Sequence, residues 1–154
     1  MNHQFEIREI KRNDVDYLLA MMMDFYMSPA VIHKPDIDLL KRDIEASFAE
    51  DIPLICYIFT VDDNIIGYSM IVKSFSTEYG LPCIWLEDLY IKPKYRKRGI
   101  GREYFSFLRK TYPEKEYRIR LEVAKDNEEA KRFYKNNKLQ EIEYLQMQFP
   151  MNDK

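Results

Sequence analysis

WLEDLYIKPKYRKRGIGR, residues 85–102, passes from an apolar run to a basic glycine loop to a helix start. Trp85, Leu86, Leu89, Tyr90 and Ile91 are β-formers, and Pro93 stops the strand they predict. Arg96-Lys97-Arg98-Gly99-Ile100-Gly101 follows, and then Tyr104, Phe105, Phe107 and Leu108 at helical spacing. A strand, a basic glycine loop and a helix in that order build an anion site. The first N–H groups of a helix have no partner inside it, and the aligned peptide dipoles add partial positive charge there. Two of the chain's four glycines, Gly99 and Gly101, fall in this loop, as expected where backbone closely approaches a ligand.

Working outward, Phe5 to Ile10 reads as a first strand. Asn13 or Asp14 is placed to cap a helix carrying Val15, Leu18, Leu19, Met22, Met23 and Tyr26, which Ser28-Pro29 ends. Pro35 opens a second helix with Ile37, Leu40, Ile44 and Phe48, and residues 28–34 form a connection that could serve as a lid. Leu54 to Val61 and Ile65 to Ser74 predict a hairpin about Asp62-Asp63-Asn64, although the turn lacks the Asn-Gly signature. After the Cys83 to Lys92 strand come a helix over Gly101 to Tyr112, a strand over Tyr117 to Val123 and a helix over Glu128 to Asn136 capped by Asp126-Asn127. Alternation over Leu139 to Phe149 predicts one or two terminal strands. The order implies one α/β domain over residues 1–154, with a mixed, mostly antiparallel sheet of six to seven strands and helices on both faces.

Hydrophobic residues make up 46% and charged residues 32% of the chain, and a formal charge of −2 provides no global field toward nucleic acid. Cys56 and Cys83 lie in apolar strand-like runs and read as buried thiols, and His3 and His33 offer too few soft ligands for a metal site. No apolar run approaches the roughly 20 residues that span a bilayer. The Met1 region lacks a signal-peptide core, which makes the cytoplasm the expected location.

Three phosphate motifs compete for the loop. A Walker A loop needs Lys-Ser/Thr after its last glycine, where this chain has Arg102-Glu103, and the dinucleotide fingerprint needs a small residue where Tyr104 stands. Arg96-x-x-Gly99-x-Gly101 remains, with Lys92, Lys94, Lys97, Arg98 and Arg102 around it. The loop alone is read equally well as a pyrophosphate site or a solvated basic turn. Its surroundings separate the two. Leu86-Glu87-Asp88-Leu89-Tyr90-Ile91 before it, and Glu122-Val-Ala-Lys-Asp-Asn127, Ala130 and Phe133-Tyr134 after it, resemble the GCN5-related N-acetyltransferase (GNAT) family in order and spacing. The 86–91 segment looks nearest to diamine and other small-amine acetyltransferases. Lys97, and Lys138-Leu139 where Gly-Phe is usual, depart from the family pattern.

The resemblance implies acetyl-CoA as co-substrate, with no metal. It places main-chain groups of Leu89, Tyr90 and Ile91 on the pantetheine arm and thioester. It places Arg96, Lys97, Arg98, Gly99, Ile100, Gly101 and Arg102 at the pyrophosphate, Asn127 and Ala130 along the cofactor, and Tyr134 near the sulfur. Direct attack by an amine then needs a proton acceptor, because a free alkylamine titrates near ~10.4. Glu87 is the candidate as base or substrate contact, with a structural ion pair as the other reading. Tyr26 and Glu122 are further substrate-binding candidates, and Glu78 and Asp88 lie in or beside the strands expected to line the cleft. Because successive strand residues alternate faces, Glu87 and Asp88 are expected on opposite sides. Tyr134 could protonate the leaving thiolate; otherwise it is a core aromatic. The acceptor expected is a small primary amine or polyamine. A protein N-terminus or lysine, a non-catalytic acyl-CoA sensor and, further off, a nucleic-acid module are the alternatives. Aromatic C-terminal strands could form a homodimer interface.

Overall fold

A computed structural model describes residues 4–151; His3 and the Met1 region lie outside them. Strands β1 (Phe5–Glu9), β2 (Leu54–Val61), β3 (Asn64–Ser76), β4 (Leu81–Ile91) and β5 (Arg118–Leu121) form one sheet in that order. The first four are antiparallel neighbours, and only β4–β5 is parallel. Helices α1 (Val15–Tyr26) and α2 (Ile37–Phe48) cover one face, and α3 (Ile100–Thr111) covers the other, with Phe133 and Tyr134 of α4 (Glu128–Asn136) packed beside it.

The near-continuous apolar run of β2 follows from this two-sided burial. Cys56 and Ile58 point toward Leu18, Met22, Leu40 and Ile44, whereas Tyr57 and Phe59 point toward Tyr104, Phe105 and Leu108. Met21 and Met22 are both buried, which makes this part of the Met21–Met23 run core; Met23 is exposed.

Local chemistry at the connections differs in places from the sequence expectation. Asp14 does not cap α1 with its side chain. It is buried, accepts the Lys11 N–H at 2.7 Å, and takes two bonds from the Arg8 guanidinium at 2.7 and 2.9 Å, which hold its carboxyl below the usual range. Asp36, rather than Pro35, starts α2, its Oδ1 accepting the Leu39 N–H at 2.9 Å. The β2–β3 turn has two central residues, Asp62 (φ 48°) and Asp63 (φ 67°), both left-handed. This is the geometry for which Asn-Gly is favoured, and short polar aspartates tolerate it.

The sheet has five strands among the described residues, not six to seven. Residues 139–151 form no strand, and Ile142, Tyr144, Leu145, Met147, Phe149 and Met151 are exposed. Their alternation suits a half-buried strand, but a strand also needs a neighbouring edge to bond its N–H and C=O groups, and here the segment pairs with none.

Gly67 of β3 lies against β4. A Cβ there would overlap the Tyr90 carbonyl oxygen and stand 3.0 Å from the Phe59 ring. Gly67→Ala is expected to lower stability by about 2 kcal/mol, because the opposing atom is backbone in a packed sheet, and a urea melt of the variant reads this directly.

Candidate functional site

The last pair between β4 and β5 is Leu86–Leu121. Beyond it β4 continues to Ile91 while β5 ends, so the two parallel strands part and Leu89, Tyr90 and Ile91 have no neighbour on that edge. At the same level β4 is irregular. Met70 of β3 opposes Asp88 and Ile71 opposes Leu86, so Glu87 has no partner across the pair. This is a β-bulge, the local device that re-aims side chains and bends a strand. It also corrects the alternation argument, because Glu87 and Asp88 line the same cavity.

That cavity, of about 310 Å³, lies where the strands part. One wall is acidic, with Glu87, Asp88 and Glu122; Phe25, Tyr26, Val31, Ile32 and Trp85 supply aromatic and aliphatic surface. Burial raises the Glu87 carboxyl above its ordinary range, and the neighbouring Glu122 charge raises it further. Among the described residues neither Glu87 nor Glu122 is ion-paired. Asp88 is deeper. Tyr26 Oη donates to its Oδ1 and Tyr68 Oη to its Oδ2, each at 2.9 Å, and burial lifts its carboxyl to about 6. Glu78 is elsewhere, beside the β3–β4 turn, accepting from Tyr144 Oη at 2.9 Å.

The basic loop has the backbone of an anion cradle. Lys97 (φ 60°) and Gly99 (φ 83°) are both left-handed, and the loop-to-helix bond runs from Glu103 N–H to Gly99 O at 3.0 Å. The N–H groups of Ile100, Gly101 and Arg102 therefore precede the helical ladder. Nothing lies within 4 Å of a Cβ built on Gly99, so the loop is open at that point. Among the described residues Lys97, Arg98 and Arg102 are exposed and form no ion pair. Open backbone donors, helix polarity and unneutralised cations fit a pyrophosphate. Arg96 has a different employment: its Nε donates to Ile91 O at 2.7 Å and its guanidinium lies over the Tyr90 ring, bracing the loop against β4.

These features coincide with a match to the model of the acetyltransferase (GNAT) family over residues 18–137. The chain belongs to this family. It is an acetyl-CoA-dependent N-acetyltransferase. Solved structures agree on the fold. A possible acetyltransferase from Clostridium difficile superposes with TM-score 0.84 at 21% identity, over 97% of this chain and 99% of that one. An aminoglycoside N-acetyltransferase, AAC(6')-Iy, in complex with CoA gives 0.78 at 15% identity over 97% of each chain. A ribosomal-protein-alanine N-acetyltransferase from Brucella melitensis gives 0.75 at 14% identity, covering 97% of this chain and 100% of that one. A search of curated proteins finds no match.

Within this GNAT fold the structure brings Glu87, Glu122 and Tyr26 together on one cavity. Tyr134 lines a second, larger cavity of about 740 Å³ that shares Trp85, Glu122 and Val123 with the first. Tyr134 packs edge-on against Phe105, and burial raises its phenol to about 12. Asn127 and Ala130 are joined to each other, the Asn127 Oδ1 accepting the Ala130 N–H at 3.2 Å as the cap of α4. Lys138, which stands where the resemblance has a glycine after this helix, is itself left-handed (φ 73°). Val31 and Ile32 of the cavity wall belong to the 28–34 connection that the sequence offered as a lid, whereas Phe25, Trp85 and Val123 as cavity walls, and Tyr68 as a partner of Asp88, were not found from sequence. Apolar and aromatic residues at core spacing carry no signal that distinguishes a cavity wall from core.

Gly99 and Gly101 do different work. A Cβ on Gly101 would stand 2.5 Å from Phe133 Cζ, so this glycine lets α3 pack on α4. Gly101→Ala is expected to cost about 1 kcal/mol in the native background and to stabilise by a few tenths once Phe133→Leu makes room, since alanine is the better helix former. Gly99→Ala should cost about 1 kcal/mol in either background, because its cost is backbone strain. Urea midpoints of the four Gly101/Phe133 combinations, and of Gly99→Ala with and without Phe133→Leu, check both statements.

Proposed function

We propose that the chain moves the acetyl group of acetyl-CoA to the primary amine of a small molecule or polyamine by direct attack in a ternary complex. The observation that carries this reading is the bulge. It aims Glu87 into an acidic cavity beside the part of β4 whose edge is free. Glu87 and Glu122, without a cationic partner among the described residues, suit an ammonium group, and Tyr26 bounds the same space. The cavity volume favours a small acceptor over a folded surface. The likeness of residues 86–91 to small-amine enzymes points the same way.

In this reading the pyrophosphate rests on the N–H groups from Lys97 to Arg102, and the pantetheine arm runs along Leu89, Tyr90 and Ile91, past Asn127 and Ala130. Glu87 binds the ammonium and accepts its proton; a carboxyl raised by burial is a better base than an exposed one. The amine attacks the thioester carbon, and a backbone N–H near Leu89 or Tyr90 stabilises the oxyanion. Tyr134 supports the departing sulfur as a hydrogen-bond donor. With its phenol raised to about 12 it keeps its proton until the thiolate has formed.

Acetyl-CoA should raise the melting temperature, and an amine panel that includes a peptide with N-terminal alanine should release free thiol with small amines and not with the peptide. Turnover of the peptide alone would overturn the small-amine assignment. Glu87→Gln is expected to lower kcat by about 10²-fold, and kcat/KM should fall with decreasing pH as Glu87 is protonated, starting above the ordinary carboxylate range. A Tyr134→Phe variant with unchanged kcat would remove that residue from the chemistry.

We also propose that the protein is a cytoplasmic homodimer. Free, buried Cys56 and Cys83 and the use of acetyl-CoA support the compartment. Among the described residues, the open edge of β5, the partnerless buried Nε of Arg120 and the exposed apolar residues Leu145, Met147, Phe149 and Met151 support self-association. Sedimentation equilibrium should give twice the 18.7 kDa chain mass, and removal of residues 145–151 should give the monomer.

A further inference from the structure

Transfer of an acetyl group to an alkylammonium removes two protons from nitrogen. One leaves before attack, to expose the lone pair, and one leaves afterwards, when the adduct carries a cationic nitrogen. Glu87 answers the first demand in the reading above, on which this inference rests. A second acceptor stands in the same cavity. Asp88 is 3% exposed, and the groups that face it are Tyr26 on α1, Asp43 on α2, Cys56 on β2, Tyr68 on β3 and Glu87 on its own strand. No lysine or arginine is among them, so among the described residues this is a buried carboxylate without an ion-pair partner, held by two phenols. Its main chain is fixed as well, with Ser69 Oγ donating to Asp88 O at 2.8 Å and Tyr104 Oη donating to Ser69 Oγ at 2.6 Å.

The two phenols are not equivalent. Tyr68 has no exposed surface and lines neither cavity, whereas Tyr26 lines the acceptor cavity with its proton already directed at Asp88 Oδ1. We propose that Tyr26 and Asp88 form a relay that takes the second proton from the acceptor nitrogen. The N–H of the tetrahedral adduct gives its proton to Tyr26 Oη as Tyr26 passes its own to Asp88 Oδ1. The C–S bond breaks with its electron pair on sulfur, and the carbonyl re-forms. Asp88 returns its proton to solvent through Tyr26 after the product leaves. Tyr26 meets the substrate, and Asp88 acts through it as a positioning residue and proton store. A carboxylate deprotonated only above about pH 6 is better matched to this exchange than one in the ordinary range.

The test compares Tyr26→Phe with Tyr68→Phe. Each variant deletes one hydrogen bond to the same carboxylate, and only the first breaks the relay. Tyr26→Phe should lower kcat by about 10²-fold with KM within about threefold of the wild type, against a fall of less than about fivefold for Tyr68→Phe. The wild-type kcat should fall below about pH 6, and Tyr26→Phe should lose this limb. Asp88→Asn, alone or combined with Tyr26→Phe, should be no slower than Tyr26→Phe, because the two act on one path; this arm stands even if Tyr68→Phe does not fold. Equal losses from the two tyrosines, an effect on KM alone, or additive losses with Asp88→Asn would overturn the relay. A wild-type enzyme that stayed inactive across the amine panel would overturn the acceptor reading and the relay together, whereas turnover insensitive to Tyr26→Phe would overturn the relay alone.

Discussion

Between Leu86 and Asp88 the fourth strand carries one residue more than the third, and the cleft depends on that extra residue. In a regular ladder Leu86 and Asp88 would share a face and Glu87 the other. With Glu87 unpaired, the strand bends, and Glu87 and Asp88 both reach the cavity. At the same level β5 stops pairing after Leu121, so the edge of β4 that a regular sheet would cover is left open. The bulge and the parting of the strands thus create an acidic pocket and a free backbone edge at one point.

The surrounding packing holds that point still. Core clusters on both faces of the sheet clamp the central strands, and a buried polar set, Tyr26, Tyr68, Ser69 and Tyr104, fixes Asp88 by side chain and main chain. A buried carboxylate costs free energy unless its oxygens are bonded. The two phenols meet that cost at both oxygens of Asp88, and one of them also ties the end of α1 to β4. The basic glycine loop is fastened differently, through Arg96 to the Ile91 carbonyl at the end of the same strand. The basic glycine loop, the free edge of β4 and the acidic pocket therefore lie along one continuous segment, and a disturbance of β4 reaches all three.

Much of this was legible before folding. The period-two runs, the helical spacings and the Arg96-x-x-Gly99-x-Gly101 loop have local causes, and so the elements from β1 to α4 lie within a few residues of where they were expected. The loop's open donors follow from helix geometry, which any chain with this pattern shares. Three features were not legible. The alternation of Leu139 to Phe149 predicted strands that found no neighbouring edge, since pairing is a relation between two segments. The packing role of Gly101 is the second, because the ring of Phe133 reaches it from thirty-two positions away. The expected opposition of Glu87 and Asp88 assumed a regular pleat, and a bulge is decided by the register of the partner strand.

The sequence by itself determined the element order, the basic glycine loop before a helix and the kinds of residue available for chemistry, because propensity, capping and short-range periodicity act within about ten residues. Only the tertiary structure decided which carboxylates share a cavity, that Asp88 is held by phenols on α1 and β3, and that Tyr134 faces the adjoining space. Those outcomes depend on strand register and on burial between elements distant in the chain, where one extra residue in β4 changes which groups meet.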